Sequence, residues 1–483
     1  MTQRGGPVAP EQAMTVEEIS AALRQLQGMD LPAHGGRTLA YVYDSGLAEA
    51  DAIGLEALGL FAGSNALDPT AFPSLLAMEN DLVGMTARLL DGPDGVVGSV
   101  TSGGTESVLL AVLAAREGAG AAPGAASMVL PTTAHAAFLK AAHYFGVEPI
   151  VVDVDPVTYR ADAAAMAAAV REDTVLVVGS APSYAHGVVD PIGALAGVAL
   201  ERGIRCHVDA CIGGWVLPHL DGVEPWTFAV PGVTSISVDL HKYAYTPKGI
   251  SVLLHRDPSL RRGHFFASAA WPGYTMLNST MQSTKSGGPL AAAWAVTHRI
   301  GHDGYAGLAR IAREATLAIV AGVAGIPGVS VVVAPDATLV TLVADGSCDV
   351  FTIADEMLAR GWYVQPQMSF RGMPSTLHLT LSAATAASVP EFLVALGEAV
   401  AAARSAGPVT LDPGLAGMVG ALDPAVLGEL EFAGLLQMAG LAGDGGLALP
   451  ERMAPVNALL DLASPALREA LLLAFLDRLS RPS

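Results

Sequence analysis

Four short segments carry residue types that could do chemistry together. The first is Thr101-Ser102-Gly103-Gly104-Thr105-Glu106-Ser107, followed by the apolar run Val108–Ala115. Small residues opening a helix leave backbone N–H groups free with the helix dipole behind them, which makes a phosphate cradle. Thr105 and Ser107 could add hydroxyl donors, and the plain alternative is an ordinary N-terminal cap. The glycine spacing is neither that of a P-loop nor that of a dinucleotide fingerprint. The second segment, Pro131 to Phe138, puts His135 at the start of a helix after a strand, either as a group lying on a ligand or as a structural hydrogen-bonder. In the third, His207-Val208-Asp209-Ala210-Cys211, an aspartate ends an apolar run. A buried carboxylate needs a partner, so Asp209 could bind a metal, cap a helix or pair with a cation. Ala210 is small enough to let a flat ring lie close. The fourth runs from Ser235 to Gly249, with Lys242 after a strand and His241 and Tyr243 on either side. Desolvation and nearby cations lower an amine's pKa and make it nucleophilic; the plain alternative is a surface lysine.

These segments need a scaffold that brings strand ends together. Strand-like runs occur at Ser127–Leu130, Pro149–Val154, Thr174–Val178, Ile204–Val208, Thr234–Val238 and Ile250–Leu254, with helical patterns at Ala134–Tyr144 and Ile192–Glu201. Such alternation predicts an α/β fold with a mostly parallel sheet covered on both faces. Ligands bind at the carboxyl ends of strands in such sheets. An amphipathic stretch, Thr15 to Gln27, reads as an arm or docking helix. From about His302 a second, smaller α/β domain is expected: helices Tyr305–Val323 and Phe351–Arg360, strands near Val329–Val333, Thr338–Val343, Trp362–Gln365 and Leu377–Leu381. Residues 405–450 read as an irregular connection and Ala454–Leu479 as helical. The division expected is an N-terminal arm (1–60), a large ligand-binding domain (61–304) and a small C-terminal domain with a helical tail (305–483).

At successive strand ends of one sheet, then, come a phosphate cradle, an imidazole, an aspartate and a lysine. Together they would bind a phosphorylated pyridine aldehyde. The aspartate pairs with the ring nitrogen, the lysine forms an imine and the cradle takes the phosphate. That is a pyridoxal 5'-phosphate site.

The blocks Thr101–Ser107, His135–Phe145 (HAAFLKAAHYF), His207–Gly214 (HVDACIGG) and Val233–Gly249 (VTSISVDLHKYAYTPKG) resemble the sphingosine-1-phosphate lyase branch of the group II pyridoxal-dependent decarboxylases. The resemblance also takes in Phe61–Pro73 and Ala458–Leu479. It implies the aspartate-aminotransferase-like fold (fold type I) and a homodimer with active sites at the subunit interface. By resemblance, Lys242 forms the imine, Asp209 pairs with the pyridinium nitrogen, His135 stacks on the ring, and Gly104 and Thr105 hold the phosphate. His241 assists proton transfer, with Tyr43 or Tyr245 as further candidates at the mouth. The turn Ser283-Thr284-Lys285-Ser286-Gly287-Gly288 sits where the family has a Gly-Ser-Arg-Pro-Gly-Gly-like turn that reaches the neighbouring subunit's cofactor phosphate; here Lys285 and Ser286 replace Arg and Pro. At the substrate end the family has a Ser-Asn-Pro-Leu-His-Pro-like stretch whose histidine helps hold a substrate phosphate. This chain has Ser64-Asn65-Ala66-Leu67-Asp68-Pro69, and Asp44 stands where an upstream tyrosine is expected. Lys248 is retained. Two carboxylates there would repel a dianion by a few kcal/mol, so a non-phosphorylated amine or amino-acid substrate is expected. The expected reaction is cleavage of a carbon–carbon bond at the amine-bearing carbon, giving an aldehyde or, alternatively, CO2. An aminotransferase or an inactive cofactor-binding paralogue are the other readings.

Composition narrows the field. Of 483 residues 52% are hydrophobic and 15% charged, which excludes a disordered chain. Asp and Glu number 46 against 26 Lys and Arg, a formal charge of −20, which argues against a nucleic-acid partner. No uninterrupted apolar run reaches about 18 residues, so no transmembrane segment is expected. Three cysteines, Cys206, Cys211 and Cys348, have no ligand spacing and indicate neither a disulfide framework nor a metal site. Met1–Pro10 lacks a following apolar region, so no secretory signal is expected. A cytoplasmic protein is the default.

Overall fold

A computed structural model describes residues 13–438, 442–443, 446–447 and 450–481. Its centre is a seven-stranded sheet of β1 (Val97–Thr101), β2 (Ala126–Pro131), β3 (Val147–Val152), β4 (Thr174–Ser180), β5 (Arg205–Asp209), β6 (Val233–Asp239) and β7 (Ser251–His255), in the order β1-β7-β6-β5-β4-β2-β3. The strands from β3 to β6 are parallel, and only β7 runs antiparallel to its neighbours. Strands β2, β4 and β7 are buried along their whole length, which is why they read as near-continuous apolar runs.

Helices cover both faces. In chain order the first five are α1 (Val16–Gln27), α2 (Ala48–Leu60), α3 (Pro73–Leu89), α4 (Gly104–Gly118) and α5 (Ala137–Phe145). Helix α4 is buried along Glu106–Val112 because apolar residues fill almost its whole circumference. Helix α1 begins with a capping box, Thr15 accepting from Glu18 N–H and Glu18 from Thr15 N–H, yet it buries no residue. An alanine-rich segment forms a short helix, Ala163–Ala169, capped by Asp162 and anchored by buried Met166.

A second, four-stranded antiparallel sheet holds the small-domain core, in the order Val329–Val331, Leu339–Ala344, Thr376–Thr380, Gln365–Gln367. Trp362, Phe392 and Leu396 pack there without exposure. The segment Ala383–Ala406 is apolar and long enough to cross a membrane by length and composition alone, but it puts Phe392, Leu396 and Val400 into this core.

Two expectations change. The helix expected at Tyr305–Val323 is the second half of a longer one, Gly287–Val323, broken at Gly301 where φ is 67°. A left-handed glycine there lets the chain turn and resume, so one element passes from the core of the large domain, at Leu290 and Ala293, to that of the small one, at Ala315 and Ile319. The stretch read as irregular contains helices Pro413–Ala421, with Asp412 as its cap, and Glu429–Met438. Their glycines and uniform apolarity hid the helical period.

The end of β4 is fixed by a buried carboxylate. Asp190 accepts the N–H groups of Ser180 and Ala161, each at 2.8 Å, and burial pushes its carboxyl up to about 6. Asp190→Ala leaves two buried donors unpaired and is expected to lower the unfolding free energy by about 2–4 kcal/mol. A chemical-denaturation midpoint measures it.

Candidate active site

At the carboxyl ends of β4, β5 and β6, opposite the start of α4, lies a cavity of about 640 Å³. Gly104, Thr105, His135, Asp209, His241 and Lys242 all line it, as do Tyr43 and Lys248. The chain thus brings together residues spread over some 200 positions, because the parallel strands and their crossovers all end on one edge.

Lys242 sits one turn past the end of β6. Its Nζ lies 3.0 Å from Oδ2 of Asp239, the last residue of that strand. Asp239 is 3% exposed and also receives the Ser251 hydroxyl from β7. Burial by itself would depress the Lys242 amine, but the charge of Asp239, aided by Tyr43, Cys211 and Asp209, holds it above the ordinary lysine value. The sequence expectation of a depressed amine is therefore corrected: its nearest charged neighbour is an anion, not a cation. His241 donates from Nδ1 to the Ile250 carbonyl at 2.7 Å and places Nε2 at 3.6 Å from Asp239. Burial pulls its imidazole below the ordinary range.

Asp209 ends β5 with 8% exposure. Its Oδ1 accepts from Cys211 N–H at 3.1 Å and from the Ser237 hydroxyl at 3.4 Å. Among the described residues no cation pairs with it. A buried carboxylate facing a cavity without a cation fits a group that brings its own positive charge. Ala210 is fully buried behind it, its N–H given to the Ser237 carbonyl, and does not line the cavity.

The start of α4 leaves backbone donors open toward the cavity, and one expected donor is corrected. Helix α4 begins at Gly104, and a Cβ there would lie 2.8 Å from both Asp239 Oδ1 and Cys211 Sγ, so only glycine fits. Ser107 is not free to donate outward, because its hydroxyl bonds Thr101 at 2.7 Å. Glu106 turns back to accept from Ser102 N–H and from Met281 N–H. The donors left for an anion are the N–H groups of the first turn and the exposed Thr105. His135 is exposed at the mouth, with Nδ1 accepting the Ala137 N–H at 3.1 Å.

Other expected residues lie elsewhere in the chain. Tyr245 is buried below the cavity floor at φ 55°, its hydroxyl without a partner and its pKa raised by burial. Asp44 accepts from Gly35 N–H at 2.7 Å and Gly46 N–H at 2.8 Å, with His34 at 3.5 Å. Asn65 accepts from Leu67 N–H, and exposed Asp68 from the N–H and hydroxyl of Thr70, which hold its carboxyl below the usual range. Ser283 borders a smaller pocket of about 180 Å³ and Thr284 is exposed. Lys285 is buried, paired with Glu79 at 2.7 Å and donating to the Val100 carbonyl. Sequence reasoning missed Asp239, Tyr184 and Gln365. Tyr184 donates to Gln365 across the cavity and stacks on His378 at 4.0 Å. Asp239 could have been found, since it ends β6 as Asp209 ends β5.

Residues 39–305 match the family profile described as "Pyridoxal-dependent decarboxylase conserved domain". The chain belongs to this family. A second profile, "Pyridoxal-dependent enzyme, C-terminal putative HTH domain", matches 413–478. Among curated relatives of this decarboxylase-family chain, sphingosine-1-phosphate lyase of Dictyostelium discoideum is 37% identical over 332 residues, 68% of this chain and 62% of the relative. That of Arabidopsis thaliana is 35% identical over 378 residues, 76% and 68% respectively. The chain thus spans about two thirds of the length of the curated relatives it matches. The solved sphingosine-1-phosphate lyase of Burkholderia pseudomallei is 37% identical with a TM-score of 0.77, over 82% of this chain and 93% of that one. These place the chain in the sphingosine-1-phosphate lyase branch. Lactobacillus brevis glutamate decarboxylase, 19% identical with a TM-score of 0.72, shares the fold. The family's cofactor is pyridoxal phosphate. The residues present fit it: an unpaired buried carboxylate and an amine that line one cavity, and a helix start where no side chain is tolerated.

Gly104→Ala forces a methyl group against Asp239 and Cys211. The expected result is an intact far-ultraviolet circular dichroism spectrum with pyridoxal phosphate affinity weakened about tenfold or more, from roughly 1–3 kcal/mol of overpacking. Fluorescence titration of the apoprotein measures it.

Proposed function

We propose that the protein is a pyridoxal phosphate-dependent carbon–carbon lyase acting on a small amine or amino acid, of the aldehyde-lyase type. The observation that carries this reading is Asp209, buried without a cation among the described residues, lining the cavity that Lys242 also lines. When bound, the cofactor supplies an electron sink for the pair released from a bond broken at the amine-bearing carbon.

The chain's own residues do the rest. Lys242 Nζ would hold the cofactor, and Asp209 would keep a proton on its ring nitrogen. Gly104 N–H, Thr105 and the first turn of α4 would bind the phosphate, and His135 would cover the ring from the mouth. Lys242, with its proton held by Asp239, is the group placed to give a proton back to the product carbon. His241 Nε2 and Tyr43 stand next to it. Tyr43, whose hydroxyl burial pushes upward, stays a neutral donor at ordinary pH. Tyr184 and Gln365, tied across the cavity, would narrow it and keep water out.

We read the substrate as lacking a distal phosphate. Among the described residues, Lys248 is the sole lysine or arginine lining the cavity besides Lys242. Its Nζ donates to the Tyr41 and His241 carbonyls and lies 5.0 Å over the Tyr43 ring. Burial and the nearby Lys242 push its amine down to about 8. It remains mostly protonated at neutral pH, but it offers a single charge to a dianion and its Nζ already serves two carbonyls. Asp44 and Asp68 do not line this cavity, and their carboxylates accept backbone N–H groups instead. Decarboxylation is the second reading, favoured by the fold shared with glutamate decarboxylase. We further read the protein as a cytoplasmic homodimer. All three cysteines are buried and free, and Val16, Ile19, Leu23 and Leu26 of α1 are exposed, as on a helix that docks elsewhere.

The test is product analysis. Purified protein loaded with pyridoxal phosphate is offered 3-hydroxy amino acids, 2-amino alcohols and their phosphate esters. The expected outcome is an aldehyde from an unphosphorylated substrate, absent with Lys242→Ala. Release of CO2 without aldehyde would establish the decarboxylase reading, turnover of phosphate esters alone would refute the substrate reading, and accumulation of pyridoxamine phosphate would mark an aminotransferase.

A further inference from the structure

Asp239 is a carboxylate with 3% exposure touching three groups. Its Oδ2 lies 3.0 Å from Lys242 Nζ and 3.6 Å from His241 Nε2, and its Oδ1 takes the Ser251 hydroxyl. We propose that Asp239 is a positioning residue that holds Lys242 as an ammonium in the cofactor-free protein, so that cofactor loading is gated by loss of one proton. The proposal rests on the reading of Lys242 as the cofactor lysine.

Several groups besides Asp239 face Lys242 and bear on its proton. On its own turn stand Asp239 and His241; from the end of β5 come Asp209 and Cys211; Tyr43 approaches from the segment before α2; Lys248 faces it across the cavity. The two carboxylates oppose deprotonation. Lys248 favours it, and His241, its imidazole depressed by burial, adds no charge near neutral pH. Of the two carboxylates only Asp239 is at ion-pair distance. Loading needs the neutral amine. The ammonium gives one proton to solvent, the freed lone pair forms the bond to the aldehyde carbon, and the aldehyde oxygen leaves as water with the two remaining amine hydrogens. Each unit by which Asp239 raises the amine's pKa cuts the reactive fraction at neutral pH tenfold.

The cavity supplies its own control. Lys248 lines the same space, but its amine is pushed down to about 8. The experiment labels the cofactor-free protein with brief pulses of acetic anhydride from about pH 6 to 11, quantifies the Lys242 and Lys248 peptides by mass spectrometry, and takes each midpoint, or its lower bound where labelling still rises at the top of the range. In wild type the Lys242 midpoint is expected at least ~2 units above that of Lys248. Asp239→Asn is expected to lower the Lys242 midpoint by ~1 unit or more while moving Lys248 less than about twofold in reactivity at any pH; Asp239→Glu restores it. In parallel, loading of pyridoxal phosphate at pH 7, followed by absorbance, is expected to be ~tenfold faster in Asp239→Asn. A wild-type Lys242 midpoint at or below that of Lys248 overturns the proposal without any variant, as does a midpoint that Asp239→Asn leaves in place. A shifted midpoint with unchanged loading rate overturns the gate. A wild type that shows the expected midpoints but takes up no pyridoxal phosphate at any pH refutes the cofactor role of Lys242 instead, and the labelling separates that failure from the first two.

Discussion

Two buried carboxylates at the ends of neighbouring parallel strands set the terms for this molecule. Asp239 ends β6 and is neutralised by Lys242. Asp209 ends β5 and has only a backbone N–H and a hydroxyl. Burying an ionised carboxylate is costly unless charge and hydrogen bonds meet it. One of the pair is therefore satisfied within the chain and the other awaits a cationic group. That asymmetry separates the residue that steadies the lysine from the residue that would meet the ring nitrogen.

The rest of the fold keeps those two side chains apart and aimed at one space. Parallel neighbours β4, β5 and β6 place Ser180, Asp209 and Ser237 in register, so the ends of three strands share an edge. Asp190 ties down the end of β4 from below. The antiparallel β7 carries Ser251 to Asp239 and Ile250 to His241, which explains why one reversed strand sits between β6 and β1. The small domain contributes Gln365, and through Tyr184 links that wall of the cavity to His378 of its own sheet.

Much of this was legible in the sequence, because fully buried parallel strands are short apolar runs and their last residues announce the site. Six such runs match β2 to β7 within two residues of register, and Lys242, Asp209, Gly104, Thr105 and His135 were picked out as strand-end or helix-start residues. What sequence could not show was direction. Asp44 and Asp68 resemble ligand-facing charges by position, but short loops let a carboxylate bond its own backbone, and both do. Tyr245 follows Lys242 by three residues, and its left-handed backbone turns it into the core. Lys285 lies in a turn matched to a phosphate-contacting one, yet Glu79 from α3, over two hundred residues earlier, claims its amine. Strand β1 escaped notice because Val97-Gly98-Ser99-Val100-Thr101 is too polar to read as buried.

The measurement that bears most directly on this account is the position of covalent cofactor attachment. The protein is reconstituted with pyridoxal phosphate, reduced with borohydride, digested and mapped by mass spectrometry. The account predicts a phosphopyridoxyl group on the peptide bearing Lys242 and none at Lys248 or Lys285. A label at either of those lysines, or a protein that reduction leaves unmodified, would contradict it.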